Sequence, residues 1–275
     1  MLFFKRKREE MFKKDEKKMR EIDDYVRNLQ IVIIAGGYGE RLKHRTKGKP
    51  KPLLEIGGKT LLEWCLEHFS HKVKDFVLLV GHGAREIKNF LGDGSKFGIR
   101  VKYSEEKTKL GKGGALKWAL ENGAIDDKKP ALITYPDDLI LVDNFLEKIV
   151  ERHLKGLEKG CKATVVRVTK TRYPYGVVKT DDEGIVVDFE EKPFINLPAN
   201  VGIYLIEPEV FDIIKENVDL SKIPVEFEET VVPELVKRRW LFSMTIPWES
   251  WIPVNDEKSY KRAVKTLEDR DASTK

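Results

Sequence analysis

The stretch "IVIIAGGYGERLKHRTKGKPKPLLEIGG", residues 31–58, decides how this chain is read. Four β-branched residues, Ile31 to Ile34, run without interruption and stop at Ala35-Gly36-Gly37. Such a run is a strand buried on both faces, as parallel strands are. Glycines directly after it make a tight loop at the strand's carboxyl end, where open α/β sheets bind their ligands. Glycine lets backbone amides approach an anion closely and adopt positive φ. Gly36, Gly37 and Gly39, with Ala35 at the strand exit, therefore form a candidate nest for a triphosphate. Arg41 follows two residues later, and Lys51 sits between Pro50 and Pro52, whose rings hold the segment extended. Fixed cations on a stiff loop suit a polyphosphate. The spacing fits neither a Walker loop nor the dinucleotide fingerprint G-x-G-x-x-G.

Outward from this stretch, short apolar runs alternate with amphipathic segments. Strands are expected at about 30–35, 75–80, 99–103 and 130–135, and helices at about 60–70, 84–91, 112–122 and 143–155. That alternation predicts an α/β fold with a Rossmann-like, doubly wound mixed sheet and helices on both faces. From about residue 162, "ATVVRVT", "GVVKT" and "GIVVDFEEKP" read as strands that extend the sheet, with turns at "DDEG" and "NLPAN". A closing helix is expected near 256–268, and no hexapeptide repeat follows residue 250. Before the sheet, Phe12, Met19, Ile22, Val26 and Leu29 recur at helical steps, so residues 1–28 read as a charged helical extension with one apolar stripe. The stripe suits packing on the main domain, residues 29–275, or on another subunit of a homo-oligomer.

With 275 residues and 41% hydrophobic content, the chain can bury a sizeable core. Charged residues make up 35%, above the roughly 25% of ordinary globular proteins. Gln occurs only at position 30, a composition suited to a heat-adapted protein. The net charge of +5 is modest and lies largely in the first 28 residues, so no nucleic-acid partner is implied. Cys65 and Cys161 lie far apart in apolar segments and read as buried thiols. His68 and His71 have no third ligand at a zinc-like spacing. No apolar run approaches the ~20 residues of a membrane helix. "MLFF" before "KRKREE" reverses the order of a secretory signal, so a cytoplasmic location without membrane contact is expected.

The ordered set "AGGYGERL…KPKPLLEIGGKTLLEW", "LGDGSKFGIRVKYSEE", "LGKGGAL", "YPDD", "YGVV", "EEKP", "NVGIY" and "WIPVNDEKSY" resembles the sugar-1-phosphate nucleotidyltransferases. The resemblance runs along most of the chain after residue 29. It implies transfer of a nucleotidyl group from a nucleoside triphosphate to a sugar 1-phosphate, with release of pyrophosphate and Mg²⁺ as cofactor. Arg41 and Lys51 match the residues that hold the triphosphate and stabilise the leaving pyrophosphate. Lys192 in "EEKP" matches the lysine that binds the incoming sugar phosphate, and Glu191 the position that contacts sugar hydroxyls. Asp137 matches the metal-binding aspartate at a strand end, with Pro136 replacing the usual glycine; the role of Asp138 stays open. Gly113 and Gly114 in "LGKGGAL" match the site where backbone reads the base, and Lys112 stands where relatives commonly carry a small residue. Gly176, Asn200 and Gly202 match sugar-pocket positions, while Tyr173, Tyr175, Trp248 and Trp251 suit either sugar stacking or core packing.

The largest departure lies in "WIPVND". Relatives usually have W-x-D-[VI]-G, whose aspartate is the second metal ligand, and this chain has Pro253 there. A cytidylyltransferase branch resembles W-x-P-[MV]-D-T, which places the ligand at Asn255, a neutral oxygen that holds metal more weakly than a carboxylate. Asp256 is the neighbouring candidate. "KPKP" and "EIGGK" also resemble that branch, which favours a cytosine base. Two other readings compete. A non-catalytic sensor of nucleotide sugars fits the missing carboxylate but leaves Arg41, Lys51, Asp137 and Lys192 without a reason to coexist. A metal-dependent glycosyltransferase using "PDD" leaves the arginine and lysine loop unexplained.

Overall fold

The computed structural model describes residues 2–273, with side chains over 15–270. Seven strands form the central sheet: β1 (Gln30–Ile34), β2 (Asp75–Val80), β3 (Arg100–Glu105), β4 (Ala131–Thr134), β5 (Ala163–Val168), β6 (Ala199–Ile206) and β7 (Leu241–Ile246). Their spatial order is β7-β5-β6-β4-β1-β2-β3. β4, β1, β2 and β3 are mutually parallel, with Ile33 in register with Thr134 on one side and Leu78 on the other. β6 runs antiparallel to both β4 and β5, which makes the sheet mixed. The sheet and its flanking helices give the doubly wound α/β architecture expected from the alternation.

Ile31, Val32 and Ile33 are fully buried because both faces of the sheet are covered. On one side pack the helices Leu61–Glu67, Ala84–Leu91 and Phe145–Leu157, and on the other Gly111–Glu121 and Pro208–Asn217. Burying each such side chain stabilises the fold by roughly 1.5–3 kcal/mol relative to exposure. The helix Leu61–Glu67 starts at a capping box, in which Thr60 accepts from the Glu63 amide while the Glu63 carboxylate accepts from Thr60.

The N-terminal helix, Leu2–Arg27, lies on the body: Ile22 and Val26 are buried in the same core as β1. Tyr25 Oη donates to Glu207 Oε1 at 2.6 Å, and His153 bridges Glu207 and Thr164 behind it. Met19 is half-exposed, and the Phe12 side chain lies outside the described residues. Both cysteines are buried and free, and burial pushes the Cys65 thiol up to about 12. Among the described residues no helix is long and apolar enough to cross a membrane.

Residues 171–195 depart from the expected extension of the sheet. "GVVKT" and "GIVVDFEEKP" do not join it; Val177–Thr180 and Val186–Glu190 form a separate two-stranded ribbon. At its base Thr171–Arg172 pairs with Phe194–Ile195.

Candidate active site

The chain folds outward from β1 to β2 and β3 on one side and to β4 on the other, so the strand order reverses between β1 and β4. Ligands of open α/β sheets bind outside the carboxyl ends of strands at such a point. A cavity of about 730 Å³ opens there. Its floor is the ends of all four parallel strands: Ile34 and Ala35, Leu79 and Val80, Ser104 and Glu106, and Tyr135. The Gly36–Arg41 loop and Lys51 close one wall, and Gly111, Lys112 and Glu226 another.

Two features fix the loop against Lys51. Gly39 has φ +60°, and a Cβ added there would stand 2.8 Å from Lys51 Cβ, so only glycine allows the approach. Lys51 opens a short 3₁₀ turn, Lys51–Leu53, held extended on its near side by Pro50 at ψ 145°. The Lys51 ammonium then donates to Asp137 Oδ2 at 2.7 Å and to Asn255 Oδ1 at 2.8 Å.

Asp137 and Asn255 meet because two short strands pair. Asp138–Ile140 lies antiparallel to Trp251–Pro253, with Pro253 opposite Asp138, and the Val254 amide donates to the Asp137 carbonyl. Trp251 Nε1 donates to Asp138 Oδ2 at 3.0 Å. Burial, with the charge of Asp137 beside it, pushes the Asp138 carboxyl well above the usual carboxylate range. Asp256 is drawn away: its Oδ1 accepts from the Ser259 amide at 2.8 Å, which caps the closing helix, Glu257–Ser273. That bond and the Ser259 hydroxyl hold the Asp256 carboxyl below its ordinary range. Of the two candidates, Asn255 is the one whose side chain faces Lys51.

Two oxygens converging on one ammonium describe a cation position. Among the described residues no group of three or more His, Cys, Asp and Glu side chains could hold a metal by itself. A magnesium ion binds through one or two protein oxygens and completes its octahedron with waters and substrate phosphates. Asp137 and Asn255 fit such an ion.

A second cavity, about 530 Å³, adjoins the first and shares Lys112, Tyr135, Asp137, Glu226 and Asn255 with it. Asn200, Gly202, Asp138, Trp251, Glu228 and Glu229 line its far side. Asn200 Oδ1 accepts from the Gly202 amide, and Gly202 has φ +87°. Lys112 Nζ pairs with Glu228 at 2.9 Å and lies over the Tyr135 ring. Gly176, Glu191 and Lys192 line neither cavity. They lie at the root of the ribbon, where Lys192 pairs with Glu191 at 3.3 Å and holds the unusual φ of 50°. Tyr173 and Tyr175 pack edge to face on each other, and Trp248 packs between Phe194 and Trp251.

Gly113 and Gly114 differ from expectation. Both are buried, and their amides donate to the Val225 carbonyl, so they serve close packing of the helix Gly111–Glu121 on that segment and do not face the cavity. Gly111 and Lys112 face it in their place. Glu106 was not anticipated. It follows β3 at its carboxyl end, the position at which the other strands supply cavity residues, and one of its oxygens accepts from the Leu110 amide. Burial raises its carboxyl above the ordinary value. Glu226, which borders both cavities, lies in "KIPVEFEET", a stretch with no periodic signal.

The switch-point cavity thus combines a glycine loop with Arg41, Lys51, Lys109 and Lys112 and with the carboxylates of Glu40, Glu106, Asp137 and Glu226, a lining suited to a phosphorylated ligand. Residues 30–270 match the family model described as nucleotidyl transferase, and the chain belongs to that family. It is 31% identical over 239 residues to a probable mannose-1-phosphate guanylyltransferase of Oryza sativa, covering 84% of this chain and 63% of that one. With the UTP–glucose-1-phosphate uridylyltransferase of a Synechocystis strain it shares 30% identity over 261 residues, 88% of this chain and 64% of the other. The chain thus spans somewhat under two thirds of the length of these relatives. A Bacillus anthracis structure assigned as a glucose-1-phosphate thymidylyltransferase superposes with a TM-score of 0.69 at 23% identity, covering 88% of this chain and 96% of that one. That likeness concerns the fold. The two curated names span guanine and uracil nucleotides, so they do not single out the cytosine base that "WIPVND" suggests.

Proposed function

We propose that this chain is a sugar-1-phosphate nucleotidyltransferase: it joins the nucleotidyl group of a nucleoside triphosphate to a sugar 1-phosphate and releases pyrophosphate. The observation that carries the reading is the junction of Lys51 with Asp137 and Asn255 on the wall of the switch-point cavity. The larger cavity takes the triphosphate, with its phosphates on the Gly36–Gly39 loop, and the adjoining cavity takes the sugar 1-phosphate beside Asn200 and Gly202.

An oxygen of the sugar phosphate attacks the α-phosphorus in line, the bond to the bridging oxygen breaks, and pyrophosphate leaves with the electron pair. Phosphate is already a competent nucleophile, so positioning and charge neutralisation carry most of the catalysis. Arg41, exposed on the cavity wall, and Lys51 meet the charge that builds on the leaving pyrophosphate. We assign Lys192 to the incoming phosphate on the resemblance of "EEKP" alone, since it lies outside both cavities, at the root of the ribbon beside Glu191. Asp137 and Asn255 would hold Mg²⁺, which supplies charge neutralisation between two anionic substrates. Lys51 already neutralises Asp137 when substrates are absent and is placed to turn to the phosphates when they arrive.

The test is pyrophosphate release with Mg²⁺ across CTP, UTP, dTTP, GTP and ATP against a panel of sugar and polyol 1-phosphates. One productive pair names both substrates. No release from protein that still binds nucleotide sugar would favour a sensor, and turnover of a preformed nucleotide sugar as donor would favour a glycosyltransferase.

A further inference from the structure

The two cavities meet at a shared wall made by Lys112, Tyr135, Asp137, Glu226 and Asn255. On the reaction proposed above, this is where the sugar phosphate reaches the α-phosphorus. Lys112 is the only cation among the described residues that line the second cavity, whose other charged residues are Asp137, Asp138, Glu226, Glu228 and Glu229. Those carboxylates repel an anionic acceptor, so inside this cavity the chain itself offers the phosphate one attractive side chain. Lys192, assigned to the same phosphate by resemblance, stands outside.

The local geometry holds the Lys112 ammonium at that junction. Its Nζ donates to Glu228 Oε1 at 2.9 Å and stands 5.4 Å from the centroid of the Tyr135 ring. The ring is itself closely packed: a Cβ added at Gly202 would come within 2.8 Å of Tyr135 Cε2. An ammonium carries three donors and Glu228 takes one, so a phosphate oxygen can be met without breaking that anchor. The ion pair is not what docks the segment around Glu228 on the helix Gly111–Glu121. Backbone does this: the Val225 amide donates to the Leu110 carbonyl, and the Gly113 and Gly114 amides donate to the Val225 carbonyl. With the lysine side chain 39% and the glutamate 26% exposed, the pair adds little stability of its own. We propose that Lys112 binds the phosphate of the incoming sugar 1-phosphate, as a cation that stands inside the acceptor cavity before substrates arrive. The inference rests on the reaction assigned above for the identity of the ligand, but not for the existence of the phosphate site.

Site-resolved lysine methylation tests that site without turnover. Inorganic phosphate at ~10 mM, enough to fill a site of millimolar Kd, should slow methylation of Lys112 at least about threefold relative to sodium chloride of equal ionic strength. The rate at Lys117, on the same helix but lining neither cavity, should not change. Kinetics on the productive pair of substrates then test the role. Lys112→Met should raise KM for the sugar phosphate about 10–100-fold, the range for loss of a hydrogen bond to a charged group, with KM for the triphosphate within about twofold. Lys112→Arg should recover most of the loss, and the melting temperature of both variants should stay near that of the wild type. A purely structural lysine would instead move both KM values and the melting temperature together. No slowing at Lys112 by phosphate, or an unchanged KM for sugar phosphate in Lys112→Met, would overturn the proposal. Absence of pyrophosphate release from every pair would count against the reaction, while protection of Lys112 by phosphate would still uphold the site.

Discussion

Lys51 and Asp137, 86 positions apart, are joined by an ion pair of 2.7 Å on the wall of the switch-point cavity, with the lysine side chain only 11% exposed. Removing the ammonium leaves the Asp137 carboxylate without its partner and, on the proposed reaction, the leaving pyrophosphate without a fixed cation. Lys51→Met should lower kcat by about 10²–10³-fold, the range for loss of one transition-state charge contact. Steady-state pyrophosphate release checks it, and a larger effect on KM than on kcat would argue for ground-state binding only. Asp137→Asn should abolish turnover at every Mg²⁺ concentration tried.

Asn255 and Asp256 have separable roles. Asn255→Asp places a second carboxylate at the convergence point and should lower the Mg²⁺ concentration needed for half-maximal rate. Asp256→Ala removes the helix cap and should cost about 1 kcal/mol of stability with the Mg²⁺ dependence unchanged. Metal titrations of rate, paired with thermal melts of both variants, distinguish the two; a shifted Mg²⁺ dependence in Asp256→Ala would move the ligand to that residue.

Gly39→Ala meets both a left-handed backbone and Lys51 Cβ at 2.8 Å. It should destabilise the fold by at least about 1 kcal/mol and displace Lys51, so kcat should fall with it. A chemical-denaturation midpoint and a rate measured on the same preparation provide the comparison.

Lys192→Ala should raise KM for sugar phosphate while leaving triphosphate binding largely intact. Equal loss of both, read by nucleotide titration beside the kinetic assay, would remove Lys192 from the acceptor role.

The anchor of the N-terminal helix carries a pH signature. Burial pushes the Glu207 carboxyl up, but the hydrogen bonds from His153 and Tyr25 outweigh it and hold the carboxyl below its ordinary value. An unfolded glutamate titrates near 4.3. The stabilisation is therefore present above that pH and is lost as pH falls through the lower folded value. Glu207→Gln should be less stable than the wild type near neutrality and lose less melting temperature on acidification from about pH 6 to about pH 3. Parallel acid-side slopes in the two melting profiles would contradict this.

The sequence by itself determined the architecture of the first half and the end of the sheet that carries the site. β1, β2, β3 and β4 fall within a few residues of the expected strands, because an uninterrupted β-branched run and a glycine stop act over short range. Gly36, Gly37, Gly39 and Arg41 belong to the same local signal and line one cavity. Tertiary structure decided what depended on contacts between distant segments. Nothing near Asn255 reveals that the pairing of Trp251–Pro253 with Asp138–Ile140 carries it to Lys51, or that Asp256 is taken by a helix cap. The glycines of "LGKGGAL" look alike in sequence, yet Gly111 faces the cavity while Gly113 and Gly114 pack on Val225, because helix phase and the approach of a segment over a hundred residues away sort them. The local pattern marked "GVVKT" and "GIVVDF" as strands but not that they would pair with each other off the sheet and leave Val178 and Phe189 exposed, since pairing and burial belong to the packed molecule and not to the strand.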